Sequence, residues 1–492
     1  MRQCDDLHTQ CLPRRDASTT PTRLISVGLY SDDIKLCRSN EVSADAHYVA
    51  LSHTWGKKEE RKKAMPLLLS GNMSARMLGI PYDELTSTFK DAITIARNIG
   101  IAYIWIDSLC IVQDDREDWA KEAARMALVY KYAYLVIAAT SSKNGDDGCL
   151  RRRIPSYDLS DPVNGSFHVQ PLMYHRTIIE WQAGDDSMPL LDRAWCFQER
   201  LLARRVLHYT EQEMIWECQD ELWCECQHSN IDYPPAMKLD GFKRAHAAAV
   251  ASTDPEVRAD SWDKFVRRYS ELALTFGTDR LPGISGIARE IALPALGTYL
   301  AGLWEFQLPQ ALLWESTGEV IDRPPQYLAP TWSWASIVTA VVPFVTGAVV
   351  KSIDSVCRVI DIAYTPNTAD VYGHVREGRL RISGPTTTAT LQYRSRRRKA
   401  KHHGVISEFP NTEAPEKSVY ITMNSDIELL EDNMTVVILF IHVRRYSTAD
   451  TLAEGLALVQ SKMHTGCWER IGVIDGGELD LSQMKQSEFV IV

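Results

Sequence analysis

The strongest constraint on this chain is the alternation of short apolar runs with helical periodicity between residues 47 and 140. HYVALSHTWG (47–56) opens as a strand through Tyr48, Val49, Ala50 and Leu51, then breaks into a polar turn ending at Gly56. ELTSTFKDAITIARN (84–98) sets Leu85, Phe89, Ile93 and Ala96 at helical spacing, with Gly100 behind it as a stop. AYIWIDSLCIVQ (102–113) has the β-branched and aromatic content of a strand covered on both faces. DREDWAKEAARMALVYKYA (115–133) carries acids in its first turn and Trp119, Ala123, Met126 and Tyr130 along one helical face. LVIAAT (135–140) reads as a second buried strand and SSKNGDDG as its turn-rich exit. RAWCFQERLL (193–202) then reads as a helix, and RVLHYT (205–210) and EMIWEC (213–218) as strands. This order predicts an α/β domain with a largely parallel sheet flanked by helices, placed at residues 23–230.

The 492 residues exceed what one compact core takes, so further domains are expected. Residues 1–22, polar and Pro-containing, read as a mobile tail. Residues 231–330 form a helical region, with SWDKFVRRYSELALTF (261–276) and the Gly-punctuated LPGISGIAREIALPALG (281–297). Residues 331–492 alternate apolar and polar positions, as in RLRISG, SVYITM and TVVILFIHV, which predicts a β-rich C-terminal region. Its charged loop YRSRRRKAKHHG (393–404) reads either as a solvated loop or as an import or acidic-partner patch.

Charge and hydropathy narrow the partners. A net charge of -10 offers no basic excess for phosphates, which argues against a nucleic-acid binder. No stretch reaches the roughly 18–20 apolar residues of a membrane helix, and TAVVPFVTGAVV (339–350) is short and broken by Pro343. The N-terminus carries no apolar leader run, so the expected location is cytoplasmic and the eleven cysteines are expected as thiols. The sequons at Asn72, Asn164 and Asn433 are then coincidental.

Several residues invite a chemical reading beside a plain structural one. Ser52, His53, Trp55 and Gly56 lie where a strand ends, the usual place for ligand groups in an open α/β sheet. His53 is there either a proton carrier or a structural hydrogen bonder. Asp107 ends an apolar segment, where a carboxylate binds a ribose or fastens two loops. Cys110 is a nucleophile with His53 or His208 as base, or a small buried thiol among Leu109, Ile111 and Val112. Cys218, Cys224, Cys226 and His228 have the spacing C-x5-C-x-C-x-H, unlike the paired short spacings of structural zinc, so thiols beside a strand and no metal are expected. TWSWAS (331–336) lacks acid–base partners and reads as core packing. No P-loop, G-x-G-x-x-G, H-E-x-x-H or G-x-S-x-G motif is present.

YVALSHTWG, YIWIDSLCIVQDDREDWAKEAARMALVYKYAYLVIAATSSKNGDDG and LLDRAWCFQERLLARRVLHYTEQEMIWEC, in that order, resemble the fungal heterokaryon-incompatibility (HET) domain. DRLPGISGIA, QALLW and APTWSWAS resemble the region that often follows it. Many members carry Cys before the Trp-Gly of the first block, where this chain has Thr54. The resemblance implies a role in fungal non-self recognition and programmed cell death. It also implies a fold distantly related to the Toll/interleukin-receptor (TIR) domain, some members of which cleave NAD. Several TIR domains carry Trp-Cys-x-x-Glu at a helix start, with the Glu as catalytic carboxylate; Trp195, Cys196 and Glu199 match that pattern. By that analogy Glu199 is the catalytic candidate, Trp55 or Trp195 an aromatic wall, and NAD the substrate. The structural alternative has Trp195 and Leu201 packed inward and Glu199 and Arg200 solvated.

Two other readings remain open at this stage. The domain acts by self-association alone, without an enzymatic step, or it serves a small-molecule biosynthetic pathway. An incompatibility or sensor protein is the expected partner in the signalling readings.

Overall fold

The computed structural model describes residues 1–11, 19–29, 33–43, 45–150, 157–161, 165–169, 187–211, 213–225, 240–317, 323–344, 352–392, 402–407, 419–426, 434–445, 451–475 and 481–492. The chain divides into two compact units, Met1–Ala248 and Ala249–Val492.

In the first unit, helix α1 (Arg2–Leu7) precedes strands β1 (Arg23–Ser26), β2 (Lys35–Arg38) and β3 (Val49–Ser52). Helices α2 (Met73–Leu78) and α3 (Ser87–Asn98) lead to β4 (Tyr103–Trp105). A helical turn α4 (Asp107–Cys110) and the long α5 (Arg116–Tyr132) lead to β5 (Leu135–Ala138). After the hairpin β6 (Tyr157–Asp161) and β7 (Gly165–Val169) come α6 (Ala194–Leu202), β8 (Arg205–Tyr209), β9 (Met214–Cys218) and β10 (Leu222–Cys224).

Eight of these strands form one sheet in the order β10-β9-β8-β5-β3-β4-β1-β2. The four central strands β4, β3, β5 and β8 pair in parallel, whereas β1–β2, β1–β4, β8–β9 and β9–β10 are antiparallel. The sheet is therefore mixed, and the largely parallel arrangement expected from sequence holds only at its centre. The pairs β1–β2, β8–β9 and β9–β10 join consecutive strands through short connections, such as the four residues between β8 and β9, which permit only a reversal of direction.

Local chemistry explains the helix boundaries. Thr86 caps α3 by accepting from the Phe89 amide, and Asp115 caps α5 by accepting from Glu117 and Asp118. The segment 102–113, expected as one strand, is a strand of three residues followed by the turn α4. The Asp107 carboxylate accepts from the Ser108 amide at 2.6 Å, a local bond that competes with continued extension. Residues 1–11, expected as part of a mobile tail, instead form α1 and a 3-10 turn (Thr9–Cys11), with Cys4 and Cys11 wholly buried. Cys4 lies on α1, His8 follows its C-terminus in a non-helical conformation, and Cys11 ends the 3-10 turn, so the reversal of the chain after Leu7 buries all three.

In the central order β4-β3-β5-β8, the chain first steps from β3 to β4 and then returns across β3 to β5. Right-handed crossovers then put α3 on one face of the sheet and α5 and α6 on the other. Two tyrosines fasten this second face. Tyr48 donates to the Val129 carbonyl at 2.7 Å, and Tyr130 donates to the Leu51 carbonyl at 3.2 Å.

The second unit begins with helical segments, among them Pro255–Ser270 with Asp254 as its cap. It ends in a sheet of nine described strands between Ser352 and Ile491. Its long strand Val375–Gln392 pairs with four others, and Lys485–Ile491 joins that strand to Trp468–Asp475, closing the sheet on itself. Ile438, Phe440, Ala457 and Ile474 fill its interior. The TWSWAS tryptophans are core residues as expected: Trp334 donates to the Gly302 carbonyl, and the Trp332 carbonyl accepts from Trp314. Among the described residues no helix is long and apolar enough to cross a membrane.

Candidate functional site

Ser52 is the last residue of β3, at the point where the strand order reverses between β3 and β5. In such sheets the crevice beyond the strand ends at a reversal is where ligands are received. The Ser52 hydroxyl donates to Glu199 Oε2 at 2.5 Å and lies 3.7 Å from Cys196 Sγ. The two partners come from α6, which is buried on most of its circumference through Ala194, Cys196, Gln198, Glu199, Leu201 and Leu202. Glu199 is only 6% exposed, and Arg200 pairs with Glu217 at 2.8 Å, so neither belongs to a solvated helix face.

That placement changes the chemistry of Glu199. Burial raises its carboxyl from 4.5 to about 7; the Ser52 hydrogen bond opposes the rise, the Asp107 charge adds to it, and Arg193 and a Tyr130 hydrogen bond oppose it. Burial also pushes the Tyr130 phenol and the Cys196 thiol well up, with the Glu199 charge acting in the same direction.

The neighbouring loops complete the cluster. Trp55 Nε1 donates to Asp107 Oδ2 at 2.9 Å, and His53 Nε2 stands 3.7 Å from Asp107 Oδ1. Burial lowers the pKa of His53, with the Asp107 charge opposing, so the ring is neutral at pH 7. Its edge packs against Phe89. The ring bonds the Leu51 backbone, while Nε2, buried, makes no hydrogen bond among the described residues. The buried Thr54 Oγ1 and Ser108 Oγ are likewise unpartnered. The Asp107 side chain keeps a quarter of its surface exposed, so the cluster opens to solvent on that side.

Ser52, His53, Trp55, Asp107 and Glu199 thus come together from three separate segments. Trp195 packs, half-buried, against the same core. Gly56 stands apart in its role: with φ at 73° it is pressed against Asn144, whose Cβ would sit 2.3 Å from a Cβ added at Gly56. The close approach it permits is to this chain's own loop.

Residues 48–199 match the family model described as Heterokaryon incompatibility protein (HET). The chain carries a HET domain over this stretch. The match begins at Tyr48, four residues before Ser52, and ends at Glu199, so the hydrogen bond between Ser52 and Glu199 joins its two ends. No curated protein and no solved structure matches the chain.

The structure of the first unit also settles some structural alternatives. Cys110 is buried and its thiol is pushed up by that burial; the Arg23 guanidinium bonds its carbonyl. His208 is engaged at both ring nitrogens, by Thr140 at 3.0 Å and Glu217 at 3.1 Å, and neither it nor His53 is bonded to Cys110. Cys224 packs with Met188, Leu191 and Ile215. Cys226, His228 and residues 393–401 lie outside the described residues.

Sequence reasoning overlooked Tyr130 and Arg193 as neighbours of Glu199, and Thr54 as a buried hydroxyl. Tyr130 carried a signal, since it lies on the core-facing stripe of α5. It also overlooked the grouping of Cys4, His8, Cys11 and Cys218, whose ligand atoms lie within 4.8 Å of one another.

Proposed function

We propose that this HET-domain protein is an effector of fungal non-self recognition and regulated cell death, and that it binds a nucleotide such as NAD at the end of β3. In this reading Glu199 is the working carboxylate for cleavage of the nicotinamide–ribose bond. The observation that carries it is the buried Ser52–Glu199 pair at the reversal point of the sheet, with Asp107 and Trp55 beside it.

Cleavage breaks the bond between the ribose C1′ and the nicotinamide nitrogen, and the electron pair leaves with nicotinamide. Positive charge develops on the sugar, and an ionised carboxylate held against it lowers the barrier. Water then bonds to C1′ and releases a proton, giving ADP-ribose. Glu199 would face the sugar, Ser52 would orient the carboxylate, and Asp107 would accept ribose hydroxyls. His53 Nε2, a buried acceptor without a partner, would take a ligand hydroxyl. Trp55 and Trp195 would supply the aromatic wall.

The resemblance of Trp195-Cys196-x-x-Glu199 to the TIR pattern supports this reading, as does the raised carboxyl of Glu199, since strongly perturbed acids concentrate at functional sites. The test is nicotinamide release from NAD by the purified full chain. Release that Glu199→Gln abolishes supports the assignment. No release at high protein concentration, with cell killing that survives Glu199→Gln but needs an intact oligomer, would replace it by signalling through self-association.

A further inference from the structure

We propose that Cys4, His8, Cys11 and Cys218 bind one zinc ion, fastening the N-terminal helix to the end of β9. The site is separate from the Glu199 cluster and does not depend on the function proposed for it. It also lies outside the HET match, with three ligands before residue 48 and one after residue 199.

The donor set is the first argument. Three cysteines and one histidine make a complete tetrahedral shell for a structural zinc, and their ligand atoms already lie within 4.8 Å of one another. A tetrahedron with Zn–S of about 2.3 Å and Zn–N of about 2.0 Å has S···N edges near roughly 3.5 Å and S···S edges near roughly 3.8 Å. His8 Nδ1 stands 3.5 Å from Cys218 Sγ, so one edge has the length that binding requires. Closing the widest separation takes a movement of about 1 Å, within reach of side-chain rotation at the end of α1.

The surroundings are the second argument. Cys4, Cys11 and Cys218 are at most 2% exposed and His8 is 9% exposed, so the group is shielded from solvent. With Nδ1 turned to the sulfurs, His8 Nε2 faces Glu221 Oε2 at 3.7 Å, the carboxylate–histidine arrangement that fixes a ligating ring. The turn between β9 and β10 points amides at the sulfurs: the Glu221 amide donates to Cys218 Sγ at 3.3 Å, and the Gln219 amide bonds Cys11. Such N–H···S bonds stabilise metal-bound thiolates. Zinc with three thiolates and a neutral imidazole leaves one negative charge, and the fully buried Arg205 guanidinium beside Cys4 opposes it.

The donor chemistry selects the ion. Soft thiolates with one imidazole in a closed four-coordinate shell favour zinc over oxygen-seeking calcium or magnesium. No open position remains for substrate, so the role is structural.

The experiment uses the full chain purified without added metal. Elemental analysis is expected to find about one zinc per chain. His8→Ala and Cys218→Ser are expected to lower that content at least tenfold, while Cys224→Ser, a buried cysteine outside the group, keeps it. Cobalt exchanged into the wild-type protein is expected to give thiolate-to-cobalt charge-transfer bands and tetrahedral d–d bands, a readout that needs no variant to fold. Three results would overturn the proposal. One is wild-type protein that holds no metal and gives no cobalt bands while these cysteines titrate as free thiols. Another is a disulfide between any two of Cys4, Cys11 and Cys218 in the non-reduced protein. The third is zinc that persists in His8→Ala and Cys218→Ser.

Discussion

Replacing Glu199 by Gln should make the protein more stable above neutral pH, by an amount that the carboxyl's own displacement sets. In the folded chain burial raises Glu199 from 4.5 to about 7. A native state that holds the proton more tightly than the unfolded state loses stability as pH rises from about 4.5 through about 7, and loses no more above that. At about 1.4 kcal/mol per tenfold change in proton affinity, the full loss is about 3 kcal/mol. Glutamine keeps the shape and an oxygen that accepts from Ser52, but has no charge to bury. The stability difference between Glu199→Gln and wild type should therefore grow by about 3 kcal/mol between pH 4.5 and pH 8. For a unit of the size of Met1–Ala248 that corresponds to roughly 6–12 °C in melting temperature. Urea denaturation of both proteins at the two pH values measures it directly. Groups common to both chains cancel in the comparison. A difference that stays the same at both pH values, or a variant less stable than wild type at pH 8, would refute the reasoning.

Other parts of the first unit give further expectations. Burial works against ionisation of Glu217, yet Arg200, Lys243 and His208 hold its carboxyl below the usual range. Glu217→Ala strands the Arg200 and Lys243 cations and should cost about 3–5 kcal/mol by chemical denaturation, a loss under 1 kcal/mol counting against the network. Gly56→Ala should cost about 2–3 kcal/mol, because it combines a left-handed backbone with a Cβ pressed onto Asn144. Asp115→Ala removes the α5 cap and should cost about 1 kcal/mol, whereas Asp115→Asn should cost much less. If Glu199 acts as an ionised carboxylate, nicotinamide release should rise with pH through about 7 and level off above it; a flat profile from pH 5 to pH 9 would oppose that role.

The α/β character of the first unit was legible because apolar period and turn residues agree locally. The central strands and the helices α3, α5 and α6 stand close to where their hydrophobic spacing places them. The segment 102–113 misled because its β-branched residues on both sides of Asp107 look alike, while only those before it find a neighbouring strand. The N-terminal helix was hidden for a different reason. Its one buried residue is Cys4, and His8 and Cys11 follow in the turn behind it, so no apolar stripe marks the segment. Ser52 and Glu199 could each be picked out, but 147 positions separate them and only the crossovers bring them together. The state of Glu199 was likewise illegible, because its proton affinity is set by burial rather than by its neighbours in sequence.

That burial bears on whether Glu199 has a purpose beyond packing. A carboxylate retained only for structure would sit where its charge is paired, as Glu217 does with Arg200. Glu199 accepts from the Ser52 hydroxyl, and the nearby Asp107 charge makes its ionisation harder. Glutamine would satisfy Ser52 at the same position without the penalty above pH 7. Groups that lower stability in a rigid setting, where a neutral isostere would serve, are characteristic of sites shaped for function. β3 and α6 are such a setting, since the residues that position Ser52 and Glu199 are themselves buried. Signalling by self-association alone gives no reason to retain a carboxyl poised near neutrality. The proposed binding and turnover of a ligand at this strand end does.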